Sequence, residues 1–156
     1  MHTQRGTQSN WGIEKTNNHY IHELYMESKS IKNHDTVLIV EDEESLRELL
    51  RLVLEGNGIK VLQATDGVEA VEVFIAHQDE IGVVLSDIGL PRLGGWDAFL
   101  KMKEINPHVK GVLASGFFNP DVRTEIIKSG AMDFIQKPYN SAQIVKMMHD
   151  LLGKTP

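Results

Sequence analysis

Between Val37 and Leu152 the chain switches five times from a short apolar run to a longer stretch of helical spacing, and that alternation leaves few folds open. The runs are TVLIVE, KVLQA, GVVLSD, KGVLASG and MDFIQK. TVLIVE is continuously apolar, as a strand buried on both faces has to be. ESLRELLRLVLEGNG follows it, with Leu46, Leu49, Leu50, Val53 and Leu54 at helical spacing and Gly56 as a stop signal. GVEAVEVFIAH, WDAFLKMKEI (closed by Pro107), PDVRTEIIKSG and AQIVKMMHDLL follow the other four runs. Asp121 favours the N-terminus of the fourth helix, and Ser141 is expected to cap the last. Strand–helix pairs with short connections predict a mostly parallel sheet with helices on both faces, and right-handed crossovers favour a doubly wound α/β sheet.

Size and charge narrow the function. A chain of 156 residues holds one domain with a substantial core. A net charge of −6, with no run of Lys and Arg, argues against direct nucleic-acid binding. The sequence has no apolar stretch long enough to span a membrane and no secretory signal, so a cytoplasmic protein is expected. The absence of cysteine excludes disulfides and thiolate metal sites. Residues 1–33, rich in Asn, Thr, Ser, Gln and His, read as a flexible leader or linker, with the domain at 34–156. Ile21, Leu24 and Tyr25 are spaced for one face of a short helix, which either docks on the domain or continues a helix from upstream. His19 and His22 lack a carboxylate set and read as a solvated pair.

Three of the runs end in charge. The first delivers Glu41 and Asp42, the third Asp87, and the fifth Lys137. In a doubly wound sheet, strand C-termini form the ligand edge near the switch in strand order. Crowded carboxylates repel, and Mg2+, which takes hard oxygen ligands and keeps several waters, relieves that repulsion. Asp42, Asp87 and a backbone carbonyl just after Asp87, that of Gly89, are the expected ligands, with Glu41 acting through water. Asp87 is the expected nucleophile, because a loop with Pro91, Gly94 and Gly95 leaves room for an approaching group. Attack on phosphorus yields an acyl phosphate, and positioning with charge neutralisation is most of what that chemistry needs. Lys137 then pairs with one phosphoryl oxygen and the Ser115 hydroxyl donates to another. Each residue has a plainer use: Asp42 as a helix cap, Lys137 as a solvated cation. Four such residues at four strand ends on one rim favour the chemical reading.

At these residues the sequence resembles the receiver domains of two-component response regulators. The resemblance spans Thr36 to Leu152 and rests on Glu41-Asp42, SDIGLPRLGG around Asp87, ASG with Ser115, and FIQKPY with Lys137. ASGF and FIQKPY look most like receivers attached to hybrid sensor histidine kinases. The resemblance implies a flavodoxin-like (βα)5 fold with strand order 2-1-3-4-5. It also implies Asp87 as phospho-acceptor, Mg2+ at Asp42, Asp87 and the Gly89 carbonyl, and a cis bond before Pro138. Ser115 and Phe134 would be the switch residues, changing the surface formed by the fourth helix, fifth strand and fifth helix. The implied partners are a sensor histidine kinase or a histidine phosphotransfer protein, and the family admits a phosphorylation-dependent homodimer. Gly89 and Phe117 would flank the attacking water, with Phe117 screening it. Glu41 stands where Asp is frequent, Ser115 where Thr is, and Phe134 where Tyr is. Three other readings compete with this one. An aspartyl-phosphate phosphatase wants a second Asp where Gly89 stands, so turnover of external substrates is not expected. VEDEES would repel a flavin phosphate. A docking module independent of phosphorylation would not need all these residue types.

Overall fold

The computed structural model describes residues 18–24, 33–117 and 119–154. The chain divides into two compact units, Met1–Lys32 and Asn33–Pro156. In the first, residues 18–24 are helical, with Tyr20, Ile21 and Leu24 exposed. Tyr25 and most of the expected leader lie outside the described residues.

The second unit runs β1 (Thr36–Val40), α1 (Glu44–Gly56), β2 (Lys60–Ala64), α2 (Gly67–His77), β3 (Ile81–Asp87), α3 (Gly95–Ile105), β4 (Lys110–Ser115), α4 (Pro120–Lys128), β5 (Asp133–Gln136) and α5 (Ser141–Leu152). All four strand pairs are parallel, and the order is β2-β1-β3-β4-β5. This is the doubly wound arrangement that the alternation predicts, in the flavodoxin-like strand order that the resemblance implies. Side chains alternate across a strand, and in β1 neighbouring residues serve opposite layers. Leu38 and Val40 pack with Phe74 of α2, Phe99 and Met102 of α3 and Ile126 of α4. Val37 and Ile39 pack with Leu50 and Leu54 of α1 and Ile144 and Met148 of α5.

Three local expectations need correction. Ser141 is the first residue of α5, and the cap is Asn140, whose side-chain oxygen accepts from the Gln143 N–H at 3.1 Å. Asn119 does the same for α4, accepting from the Asp121 N–H at 2.9 Å. The apolar set of α1 is also wider than its buried face. Leu50 and Leu54 are buried, but Leu49 is 52% exposed. Asp42 does not cap α1; the capping position is Glu43, whose carboxylate accepts from the Ser45 hydroxyl at 2.9 Å and from no backbone N–H of the helix.

Candidate functional site

Register brings the strand ends together. Val40 lies beside Ser86, Asp87 beside Ala114, and Ser115 beside Gln136. The residues that follow β1 and β5 therefore emerge on the same rim as Asp87 and Ser115. The β3–α3 connection turns back tightly there. The Ile88 N–H donates to the Ala114 carbonyl at 2.9 Å, and the Gly95 N–H returns to the Ile88 carbonyl at 3.0 Å. A Cβ on Gly95 would lie 1.8 Å from the Asp87 carbonyl oxygen, so α3 can start this close to β3 only with glycine there.

Lys137 is the centre of the rim. Its Nζ donates to Glu41 Oε2 at 2.7 Å and to Asp87 Oδ2 at 3.0 Å. The Glu41 side chain is 2% exposed, that of Asp87 15% and that of Lys137 18%, so this ion triad is largely removed from water. Burial pushes the Glu41 carboxyl above its ordinary range despite the ammonium beside it. Burial also opposes the charge on Lys137, but hydrogen bonds to both carboxylates outweigh it and hold the ammonium above its ordinary value. Glu41, Asp42 and Asp87 each offer an oxygen within 4.8 Å of the others, the one such acidic cluster found among the described residues. Three carboxylates against one ammonium leave an excess of hard, negative oxygen donors, which is a donor set that fits Mg2+.

The remaining expected residues lie on this rim in different roles. The Gly89 N–H donates to Asp87 Oδ1 at 3.2 Å, so the loop folds over the carboxylate. The Ser115 carbonyl accepts from the Lys137 N–H at 2.8 Å. Its hydroxyl accepts from the Phe117 N–H at 3.1 Å, a turn of its own loop. The Lys137–Pro138 bond is cis. Phe134 is already interior, 7% exposed, whereas the expected switch has it swing inward. Phe117 is 76% exposed and packs in neither core cluster.

Sequence reasoning missed four residues, two of them an ion pair. The Tyr139 ring centroid lies 5.6 Å from Lys137 Nζ, a cation–π distance. Burial, with the charges of Glu41 and Asp87, pushes its phenol pKa far up, so the hydroxyl stays protonated. Its place two residues after a functional lysine was the available signal. Arg47 Nη1 donates to the Glu41 carbonyl at 2.9 Å, which fixes the end of β1. Asp66 and Arg92 pair across 26 residues of sequence, a contact that local pattern does not announce.

The doubly wound sheet thus gathers an acidic cluster and a lysine at the C-terminal ends of β1, β3 and β5. The family model of the response regulator receiver domain matches residues 37–149, and the chain belongs to that family. It is 34% identical over 114 residues to the chemotaxis protein CheY of Thermotoga maritima, covering 72% of this chain and 93% of CheY. It is 28% identical over 119 residues to the sensor kinase CckA of Brucella abortus, covering 76% of this chain but only 13% of the kinase. Among solved structures, a receiver domain from Clostridium thermocellum superposes with a TM-score of 0.72 at 25% identity, over 76% of this chain and 94% of that one. A CheX–CheY–BeF3–Mg2+ complex from Borrelia burgdorferi matches with a TM-score of 0.71 at 25% identity, over 74% and 87%. The chain thus contains a receiver domain of the two-component type, a phosphorylation-accepting class. Among the described residues no helix is long and apolar enough to cross a membrane.

Proposed function

We propose that Asp87 accepts a phosphoryl group from a phosphohistidine, with residues 34–156 as the working module and residues 1–33 as a leader. The observation that carries this reading is the Lys137 ammonium held between Glu41 and Asp87 on a rim that also gathers Asp42. Asp42, Asp87 and the Gly89 carbonyl would hold Mg2+, with Glu41 acting through water. The bound ion would neutralise the crowded carboxylates and the phosphoryl oxygens. An Asp87 carboxylate oxygen attacks phosphorus and forms the O–P bond as the N–P bond breaks. The electron pair returns to the imidazole, which leaves as the neutral ring when its other nitrogen carries a proton. Lys137 turns from Asp87 to a phosphoryl oxygen, and the Ser115 hydroxyl leaves its turn to donate to another.

The donor is a sensor histidine kinase or a histidine phosphotransfer protein. A cavity of about 370 Å3 beside Lys137, lined by Leu46, Leu49, Val53 and Pro138, offers such a partner an apolar foothold next to the acceptor. Added phosphoryl charge then alters the α4–β5–α5 surface, which serves a downstream target or a second phosphorylated copy. A second reading has the chain as the receiver segment of a hybrid sensor kinase; the match to part of CckA favours it. Both readings predict that acetyl phosphate with Mg2+ labels the wild type and that Asp87→Asn, with an unchanged circular dichroism spectrum, takes no label. Persistent labelling of Asp87→Asn removes this residue from the mechanism.

A further inference from the structure

The loop that carries Gly89 is tied at its base, where the Gly89 N–H donates to Asp87 Oδ1 at 3.2 Å, the Leu90 N–H to the Ile88 carbonyl at 3.1 Å and the Leu93 N–H to the Pro91 carbonyl at 2.7 Å, but its tip is open. Gly89, Pro91 and Arg92 are exposed, and a Cβ at Gly89 would meet nothing within 4 Å. A further restraint on the tip comes from the start of α2. Arg92 Nε and Nη2 donate to Asp66 Oδ2 at 2.9 Å and 2.7 Å. The other oxygen of the same carboxylate, Oδ1, accepts from the Glu69 N–H at 2.8 Å and so caps α2. Asp66 is 8% exposed, which fixes its direction. Arg92 has a φ of 64°, the one positive φ outside glycine among the described residues. A side chain disfavours that conformation, and it persists where surrounding contacts impose it. The next residue is clamped too: a Cβ on Gly67 would lie 2.1 Å from the Leu93 carbonyl oxygen. Residues 92 and 93 therefore rest on residues 66 and 67, while Ile88 is pinned to β4 and to Gly95.

We infer that Asp66 and Arg92 form a latch that positions the β3–α3 loop, and through it the Gly89 carbonyl, for the metal. They are positioning residues, and the inference rests on the proposed use of that carbonyl as a ligand. Mg2+ demands near-ideal octahedral geometry, so a carbonyl free to wander binds it less well. Outer partners that orient a ligand commonly govern affinity in this way.

The test uses the full chain with Arg92→Ala, Arg92→Lys, Asp66→Asn and the double variant Asp66→Asn/Arg92→Ala. Asn caps a helix as well as Asp does, so Asp66→Asn removes the ion pair and keeps the start of α2. Calorimetric titration with MgCl2 should show the dissociation constant raised about tenfold or more in Arg92→Ala and Asp66→Asn. Arg92→Lys should fall between these and wild type, and the double variant should be no worse than either single change. Without metal, amide exchange should quicken at residues 89–93 and stay unchanged at Ile88 and along α2. Equal Mg2+ affinity in all variants, additive losses, or exchange quickened equally in α2 overturns the latch alone. A wild type that binds no Mg2+ overturns the metal reading and the role of the latch with it.

Discussion

At the scale of single residues, the site is a balance of one ammonium against buried carboxylates. Removing Lys137 leaves Glu41 and Asp87 facing each other with little water to separate them. Lys137→Met should lower stability without metal by about 2 kcal/mol or more, since breaking a buried pair strands its partner's charge. Millimolar Mg2+ should return more stability to this variant than to wild type; urea unfolding with and without Mg2+ measures both effects. Asp66 carries a separate pH signature. The Glu69 N–H, with Arg92 beside it, holds its carboxyl below the ordinary value of 3.8. A depressed folded value contributes stability above 3.8 that is lost as pH falls through the folded value. The stability gap between wild type and Asp66→Asn should therefore persist at pH 7 and close in strong acid. A gap that widens below pH 3.8 would contradict the assignment. Glu41, Asp42, Asp87 and Lys137 were legible because a charge ending an apolar run is conspicuous. Asp66 and Arg92 were not, because their contact depends on the path of a loop.

At the scale of elements, strands and helices followed from periodicity, while their ends did not. Residue type alone marks Ser141 as a cap, but Asn140 is as good a capping residue and sits one place earlier, outside the helix. Asn140→Ala should cost about 1 kcal/mol in urea unfolding. Ser141→Ala should stay within about 0.5 kcal/mol of wild type. The reverse ranking would restore the sequence-based assignment. In α1, spacing identified an apolar stripe but could not divide its core side from its outer side. Leu50 and Leu54 reach the sheet, whereas Leu49 and Leu52 stay outside.

At the scale of the whole molecule, the sheet of the second unit separates two apolar layers, and β1 contributes to both through consecutive residues. Leu38→Ala and Ile39→Ala empty opposite layers, and each should cost about 2–5 kcal/mol. If the sheet couples the layers, both variants should unfold in one transition, coincident by circular dichroism and by amide exchange on the two faces. Separate transitions would mean that the layers fold independently. The same sheet brings residues 41, 42, 87 and 137 to one edge, and the central claim is that this edge makes Asp87 a phosphoryl acceptor. The most direct test is acetyl phosphate labelling in Mg2+ and in EDTA, followed by borohydride reduction and peptide mass spectrometry. One phosphoryl group on Asp87, formed with Mg2+ and absent with EDTA, is the predicted result. Labelling at another residue, or labelling that does not depend on Mg2+, would contradict it.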